Sequence, residues 1–315
     1  MRAFLDRNLM EIMMLTSVAL GFLLPDIGVH WKQYVAYLLM LMLFSTILTV
    51  EPDKVMESAR NVRSLGYALA MVLVLGPALA LTGKSLFSPS TFVGIMLALS
   101  APSAVSAAFF SSKFEGDTAY ALVITIVTHL LVILTIPLTM FLTLGAIISL
   151  DLSSMFLDLV KLILVPTALA FLVSKTIHID QKRISRYVSK TNLVLLSLII
   201  WGSMSSGATY TRDNPLQFLW LTLFIIALLV IVFAVAFKSC EKHGRKQAIT
   251  VGIAAIARNG ALPFVIATTL FSSETLPPLV ANIVAQNLLL VTLGTLLRKM
   301  KFIEVERNDP NALVK

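Results

Sequence analysis

The sequence predicts an all-α polytopic membrane protein, ten transmembrane helices in two inverted five-helix repeats, and three observations predict it. The chain of 315 residues is 57% hydrophobic and only 13% charged, with a mean hydropathy of +0.89. That is more apolar surface than a soluble domain of this length can hide, so lipid has to be its solvent. The apolar residues fall into ten runs, each long enough to cross a bilayer as a helix. The basic residues between those runs collect on alternate connections, as they do when successive helices reverse direction.

The runs lie at about 8–25, 34–50, 65–83, 90–112, 117–145, 155–175, 189–208, 215–237, 246–272 and 276–297. The first follows Arg2, Asp6 and Arg7 and superficially has the form of a signal peptide. It lacks a small-residue cleavage site and leads at once into further spans, so it reads as a membrane helix. Of the 25 Lys and Arg, twenty fall on one face of this layout, and only Lys32, Lys84 and Arg212 on the other. The positive-inside rule then puts both termini in the cytoplasm of a cell (inner) membrane protein. A net charge of +8 does not point to nucleic acid, because the cations sit in short runs between apolar stretches. The single cysteine, Cys240, in a basic loop, excludes an internal disulfide and a two-cysteine metal site. No cofactor is expected.

The two halves match in layout. Residues 1–145 carry five spans, 150–298 five more, and 299–315 form a cytoplasmic tail; corresponding spans begin 147 to 159 residues apart. Five spans reverse direction across the membrane, so the second half is inverted relative to the first, a pattern of secondary transporters.

Two spans are interrupted. The fourth carries Pro102 within Ser100-Ala101-Pro102-Ser103, where proline removes a backbone donor and clashes with the preceding turn. The ninth carries Arg258-Asn259-Gly260 with Pro263 just beyond, and Asn and Gly tolerate non-helical backbone. The interruptions lie 156 residues apart, within the repeat offset, and paired interruptions are the best sequence pointer to a transport site. The alternative for Pro102 alone is a simple kink. Unwound backbone survives in a membrane only against protein or a wet cavity, and it exposes half-helix ends that bind ions. Arg258 is the costliest residue at that depth, and no acidic residue lies level with it. Its expected partner is a substrate anion, carbonyls of the break, or water.

Polar stripes flank the breaks. In the fifth span Thr125, Thr128 and His129 share a face with Ala121 and Val132; in the tenth, Asn282 and Gln286 are four apart, with Asn287 alongside. An offset of 157 carries Thr125 onto Asn282 and His129 onto Gln286. His129 reads either as a proton relay or as a neutral interhelical hydrogen-bonding residue. The candidate substrate-binding set is therefore Pro102, Ser103, Ser106, Thr125, His129, Arg258, Asn259, Gly260, Asn282 and Gln286. Trp201, Ser203, Ser205 and Ser206 line an outer cavity or serve close helix packing. Lys161 snorkels.

At these residues the chain resembles the bile acid:sodium symporter family in its bacterial ten-span form. The features that carry the resemblance are Phe44-Ser45-Thr46-Ile47-Leu48-Thr49-Val50-Glu51-Pro52, Gly76-Pro77, Pro102 among small residues, and Asn259-Gly260. The resemblance implies a panel of spans one, two, six and seven beside a core of the other six, in which the broken fourth and ninth spans cross, and transport by alternating access. The family's sodium ligands are missing, however. Where it has Gly-Gly and Ser-Asn after the fourth-span proline, this chain has Ser103-Ala104 and Ala107-Ala108. Ile253 and Ala257 stand for its ninth-span glutamate and glutamine, Val72 for its third-span glutamine, and Ala121 for a fifth-span serine. Of the ligand-like residues only Thr125 remains. Sodium needs several oxygen ligands, so both sites should be lost.

The expected activity is secondary transport of a small organic anion, with Arg258 supplying in fixed form the positive charge that sodium gives relatives, and with exchange, proton coupling or uniport as the mode. Partners are that anion, the lipid bilayer and, where coupling exists, sodium or a proton. Competing readings are sodium symport through rearranged ligands, an auxin-carrier-like or arsenite-permease-like protein, an intramembrane enzyme and a channel. The enzyme would need a deep nucleophile or metal constellation, and the chain offers one deep histidine. A channel suits rings of subunits better than paired broken helices.

Overall fold

The structure, a computed structural model, describes residues 2–49, 62–145, 151–177 and 180–299. Glu51, Pro52, Lys54 and Arg60, the junction at 146–149 and all of the expected tail but Lys299 lie outside the described residues. Among those described, the chain is all-helical and polytopic: seven helices are long and apolar enough to cross a membrane, and Ile12–Leu23, Pro89–Ser100 and Ala261–Leu270 are shorter apolar helices.

In chain order the helices are α1 (Arg2–Leu23), α2 (Pro25–Leu48, with a 3-10 turn at Val29–Tyr34), α3 (Val62–Gly83), α4 (Pro89–Ser100), α5 (Ser106–Lys113), α6 (Thr118–Leu144), α7 (Leu152–Thr176), α8 (Gln181–Asp213), α9 (Pro215–Cys240), α10 (Arg245–Ile256), α11 (Ala261–Leu270) and α12 (Leu276–Lys299). Their ends follow local chemistry. Ser88 caps α4 by accepting the Thr91 amide, with Pro89 at the first helical position, where its missing N–H costs nothing. Asp117 caps α6 through the Tyr120 amide, and Asp151 caps α7 through that of Ser154. Gly244, at φ +111°, turns the chain between α9 and α10.

The fourth and ninth runs are indeed interrupted, each forming two half-helices: α4 and α5, and α10 and α11. Pro137 and Pro166 lie inside α6 and α7 without ending them, so a proline alone does not make such a break. Gly76-Pro77 has a third effect, leaving a π-helical turn at Met71–Leu75 in α3.

Two groups of helices pack together. In one, α1 lies on α8, and α2 on α7 and α8; in the other, α9 packs on α10 and α12, α4 on α6 and α12, and α5 on α6 and α10. Every residue of α4 from Thr91 to Ser100 and of α10 from Ala248 to Ile256 is buried. These helices are apolar on all sides because protein surrounds them on all sides. Leu134, Leu138 and Leu142 of α6, by contrast, are exposed, as lipid-facing residues are.

Some expectations are corrected. Cys240 is not a loop residue; it ends α9 and is buried. Of the two readings of the serines in α8, close packing prevails for Ser205, whose hydroxyl donates to the Trp201 carbonyl and sits where a side chain at Gly28 would stand. Lys161 extends from α7 with its side chain 70% exposed, 3.9 Å from Asp158.

Candidate functional site

The two breaks meet. Ala101 turns out of α4 into extended backbone at ψ 149°, and Ser103 forms an isolated antiparallel bridge with Arg258. The Ala104 amide donates to the Ala257 carbonyl at 2.7 Å and the Asn259 amide to the Pro102 carbonyl at 2.9 Å. Unwound backbone at mid-span is costly unless its polar groups find partners, and here each break supplies the other's.

Side chains from α6 and α12 complete the stitching. Thr128 Oγ1 accepts the Ser103 amide at 3.2 Å, and Thr125 Oγ1 donates to the Ala121 carbonyl at 2.9 Å, with the Ala104 carbonyl 3.3 Å away. On the other side Gln286 grips the backbone of one residue on both sides: Oε1 accepts the Arg258 amide at 3.0 Å and Nε2 donates to the Arg258 carbonyl at 3.2 Å.

His129 is fixed by its neighbours. Nδ1 lies 2.8 Å from the Thr125 carbonyl, which only accepts, so Nδ1 carries the hydrogen. Nε2 therefore accepts from Asn259 Nδ2 at 2.9 Å. That orients Asn259, whose Oδ1 accepts the Ala261 and Leu262 amides at 3.0 and 3.3 Å and opens α11. Both imidazole nitrogens are engaged with the ring neutral; a second proton would set Nε2–H against the amide N–H. Of the two roles considered for His129, this geometry favours the hydrogen-bonding one.

Arg258 is wholly buried, at 0% exposure. Its Nη1 donates to the Val72 carbonyl at 2.9 Å and to the Ala101 carbonyl at 3.0 Å. Both acceptors have physical reasons to be free. Ala101 caps the C-terminus of α4, where carbonyls lack helical partners and the dipole favours a cation. Val72 is the second residue of the π turn, whose bonding pattern calls for an N–H five residues on, and that residue is Pro77, which has none. Gly76 leaves room: a Cβ there would overlap Arg258 Nη2 and stand 2.7 Å from the Leu99 carbonyl oxygen. Of the partners foreseen for Arg258, the structure supplies carbonyls, one from its partner break and one from α3.

A cavity of about 50 Å³ opens beside the crossing and is room for no more than a few waters. Its polar wall is the start of two half-helices, Ala104 to Ser106 and Asn259 to Ala261, with Gln286 behind; its apolar wall is Met14, Met42, Leu196, Ile199 and Ile200 from α1, α2 and α8, with Ile283 of α12. Of the expected set, Ser106, Arg258, Asn259, Gly260 and Gln286 line it. Pro102, Ser103, Thr125 and His129 hold the crossing together from behind. Asn282 is buried on α12 outside the lining, its Oδ1 without a partner among the described residues. The apolar wall was not foreseen, nor was Val72 as a partner of Arg258. Gly76-Pro77 was a signal for the latter; nothing marks the apolar wall, since cavity-facing and lipid-facing leucines look alike in sequence. Among the described residues no group of three or more His, Cys, Asp or Glu could hold a metal ion.

The profile of the SBF-like CPA transporter family matches residues 8–301. YbaS of Bacillus subtilis (strain 168), an uncharacterized protein, is 23% identical over 298 residues, which cover 93% of this chain and 97% of that one. Proteins of Oryza sativa subsp. indica and subsp. japonica, each described as "Probable sodium/metabolite cotransporter BASS4, chloroplastic", are 26% identical over 296 residues, 88% of this chain and 67% of theirs.

Proposed function

The chain belongs to the SBF-like CPA transporter family, and from that premise we propose that it carries a small organic anion across the cell membrane by alternating access, without sodium. It is a transporter of the bile acid:sodium symporter type, not an enzyme. In this reading its ten spans are two inverted repeats, 1–145 and 150–298, with both termini cytoplasmic. The helices α1, α2, α7 and α8 are the panel, the rest the core. The anion lies between them, its charge toward the N-termini of α5 and α11, which favour negative groups, and its apolar body against Met14, Met42, Leu196, Ile199 and Ile200. A cavity of about 50 Å³ is too small for such a molecule, as suits a closed stage of the cycle.

One observation carries the sodium-free reading: the Arg258 guanidinium bridges the carbonyls of Val72 and Ala101. Carbonyls gathered from a helix end and an unwound turn are the surroundings of a bound alkali ion in transporters built on broken helices. Here a tethered cation fills them. Arg258 is then a positioning residue that stabilises the crossing on which the anion docks.

The sodium-coupled alternative is favoured by the printed description of the rice relatives. A ligand-stabilisation screen on the purified protein, anions against neutrals, comes first; a ligand at 100 times its Kd adds about 2.7 kcal/mol of stability. Uptake of the best ligand into proteoliposomes is then compared in sodium and potassium. Equal rates support the proposal, and uptake that stops in potassium refutes it. Arg258→Gln should lose most ligand stabilisation while remaining folded, and unchanged affinity would sink the role given to the arginine.

A further inference from the structure

A second and larger cleft, of about 450 Å³, opens at the far end of α11. Its walls include His30, Lys32 and Gln33 on the 3-10 turn within α2, and Val265, Thr268 and Thr269 on α11; among the described residues no carboxylate lines it. Lys32 is one of just three basic residues on the sparsely charged face of the chain, so this cleft faces away from the cytoplasm in the topology proposed above.

The two cavities share one helix face. Ala261 lines the inner cavity, and Val265, Thr268 and Thr269 line the outer cleft. Positions 261, 265, 268 and 269 follow the i, i+4, i+7, i+8 spacing of a single helical stripe. At 1.5 Å per residue the stripe covers about 10 Å from the crossing to Thr268. Between the two openings α2 packs against α11. The Thr268 and Thr269 hydroxyls both donate to the Val265 carbonyl, at 3.0 and 2.9 Å, which spends their hydrogens and leaves Lys32, His30 and the Gln33 amide as the side-chain donors of the cleft.

We propose that this cleft is an outer anion-gathering site, in which Lys32 concentrates the anionic substrate, with His30 beside it as a hydrogen-bonding wall, at the mouth of the path that α11 leads to the crossing. The proposal rests on the transport reading for its purpose, though not for its electrostatics. A cation in a partly walled cleft raises the local concentration of anions, within the roughly 8 Å over which physiological salt leaves its field unscreened.

The test needs no knowledge of the substrate. In a Cys240→Ser background, Thr269→Cys places one thiol on an exposed wall of the cleft. Whole cells are labelled with a membrane-impermeant anionic methanethiosulfonate and with its cationic counterpart, and the ratio of the two rates is compared with that for a free thiol. The expected ratio exceeds the free-thiol ratio and falls about two- to threefold in Lys32→Gln. A ratio equal to that of the free thiol, or unmoved by Lys32→Gln, overturns the proposal, as does absence of labelling from outside. Uptake kinetics separate this from the transport reading: Lys32→Gln should raise KM severalfold at constant kcat. Loss of the transport reading would leave the labelling ratio unchanged.

Discussion

Gly76 gives the sharpest check on how the buried arginine is held. In Gly76→Ala the new methyl overlaps Arg258 Nη2 and lies 3.0 Å from Cζ and 2.7 Å from the Leu99 carbonyl oxygen. Two of these neighbours are the end of a long side chain that can swing; the third is backbone of α4, which yields only if the half-helix moves. Crowding of this kind costs about 1–3 kcal/mol. If the guanidinium swings, it also forfeits bonds to Val72 and Ala101, and a charged donor is worth about 1.5–3 kcal/mol per bond. The expected loss is about 1–3 kcal/mol if both bonds hold and about 2.5–6 kcal/mol if one of them is lost. A double-mutant cycle with Arg258→Ala isolates the cause, because removing the guanidinium removes two of the three close contacts. Measured by reversible unfolding in mixed micelles, Gly76→Ala should cost at least about 1 kcal/mol less in the Arg258→Ala background than in the native protein. Additivity within about 0.5 kcal/mol would refute the idea that Gly76 exists to seat Arg258.

Gln286→Leu leaves the Arg258 amide and carbonyl without their side-chain partner, and two neutral buried bonds put the loss at about 2 kcal/mol in the same unfolding assay; a change below about 0.5 kcal/mol would mean that the bridge needs no bracing from α12. With both His129 nitrogens engaged in the neutral ring, transport should be flat between about pH 5.5 and 8, the range in which a free histidine titrates. A pH step that vanishes in His129→Gln would restore the proton-relay role. Ser106→Leu puts a side chain bulkier than the free space into the cavity of about 50 Å³; Ser106 is part-exposed, so the protein should fold normally while transport falls at least tenfold, and full-rate uptake would move the anion elsewhere.

The all-helical, polytopic character was legible because membranes make sequences repetitive: long apolar runs between short polar connections leave few alternatives, and mid-span Pro102 and Asn259-Gly260 mark breaks by chemistry alone. The pairing of those breaks was suggested by their equal offset, yet its form was not, since main-chain bonds such as Asn259 to Pro102 carry no side-chain signature. Arg258 was recognisable as exceptional because a cation is costly at that depth, and carbonyls of the break were among the partners foreseen, though not that one would come from the partner break at Ala101. Val72 was not, since its side chain is irrelevant to the bond; Pro77, five residues on, makes its carbonyl available. The apolar wall was hidden for another reason. Ile199 and Leu196 differ from lipid-facing neighbours only in what surrounds them, and composition does not record that.

The bridge between Ser103 and Arg258 also bears on how such a protein can change over time. Its hydrogen bonds run through backbone, so any residue but proline at Ala104 or Asn259 can donate them. Cavity side chains that make none of these bonds, such as Met14, Met42, Ile199 and Ser106, are thereby released from the task of keeping the junction intact. New cargo preferences can arise at Met14, Met42, Ile199 or Ser106 while the junction persists, and relatives that share little more than a fifth to a quarter of their residues over nearly the whole chain fit that freedom.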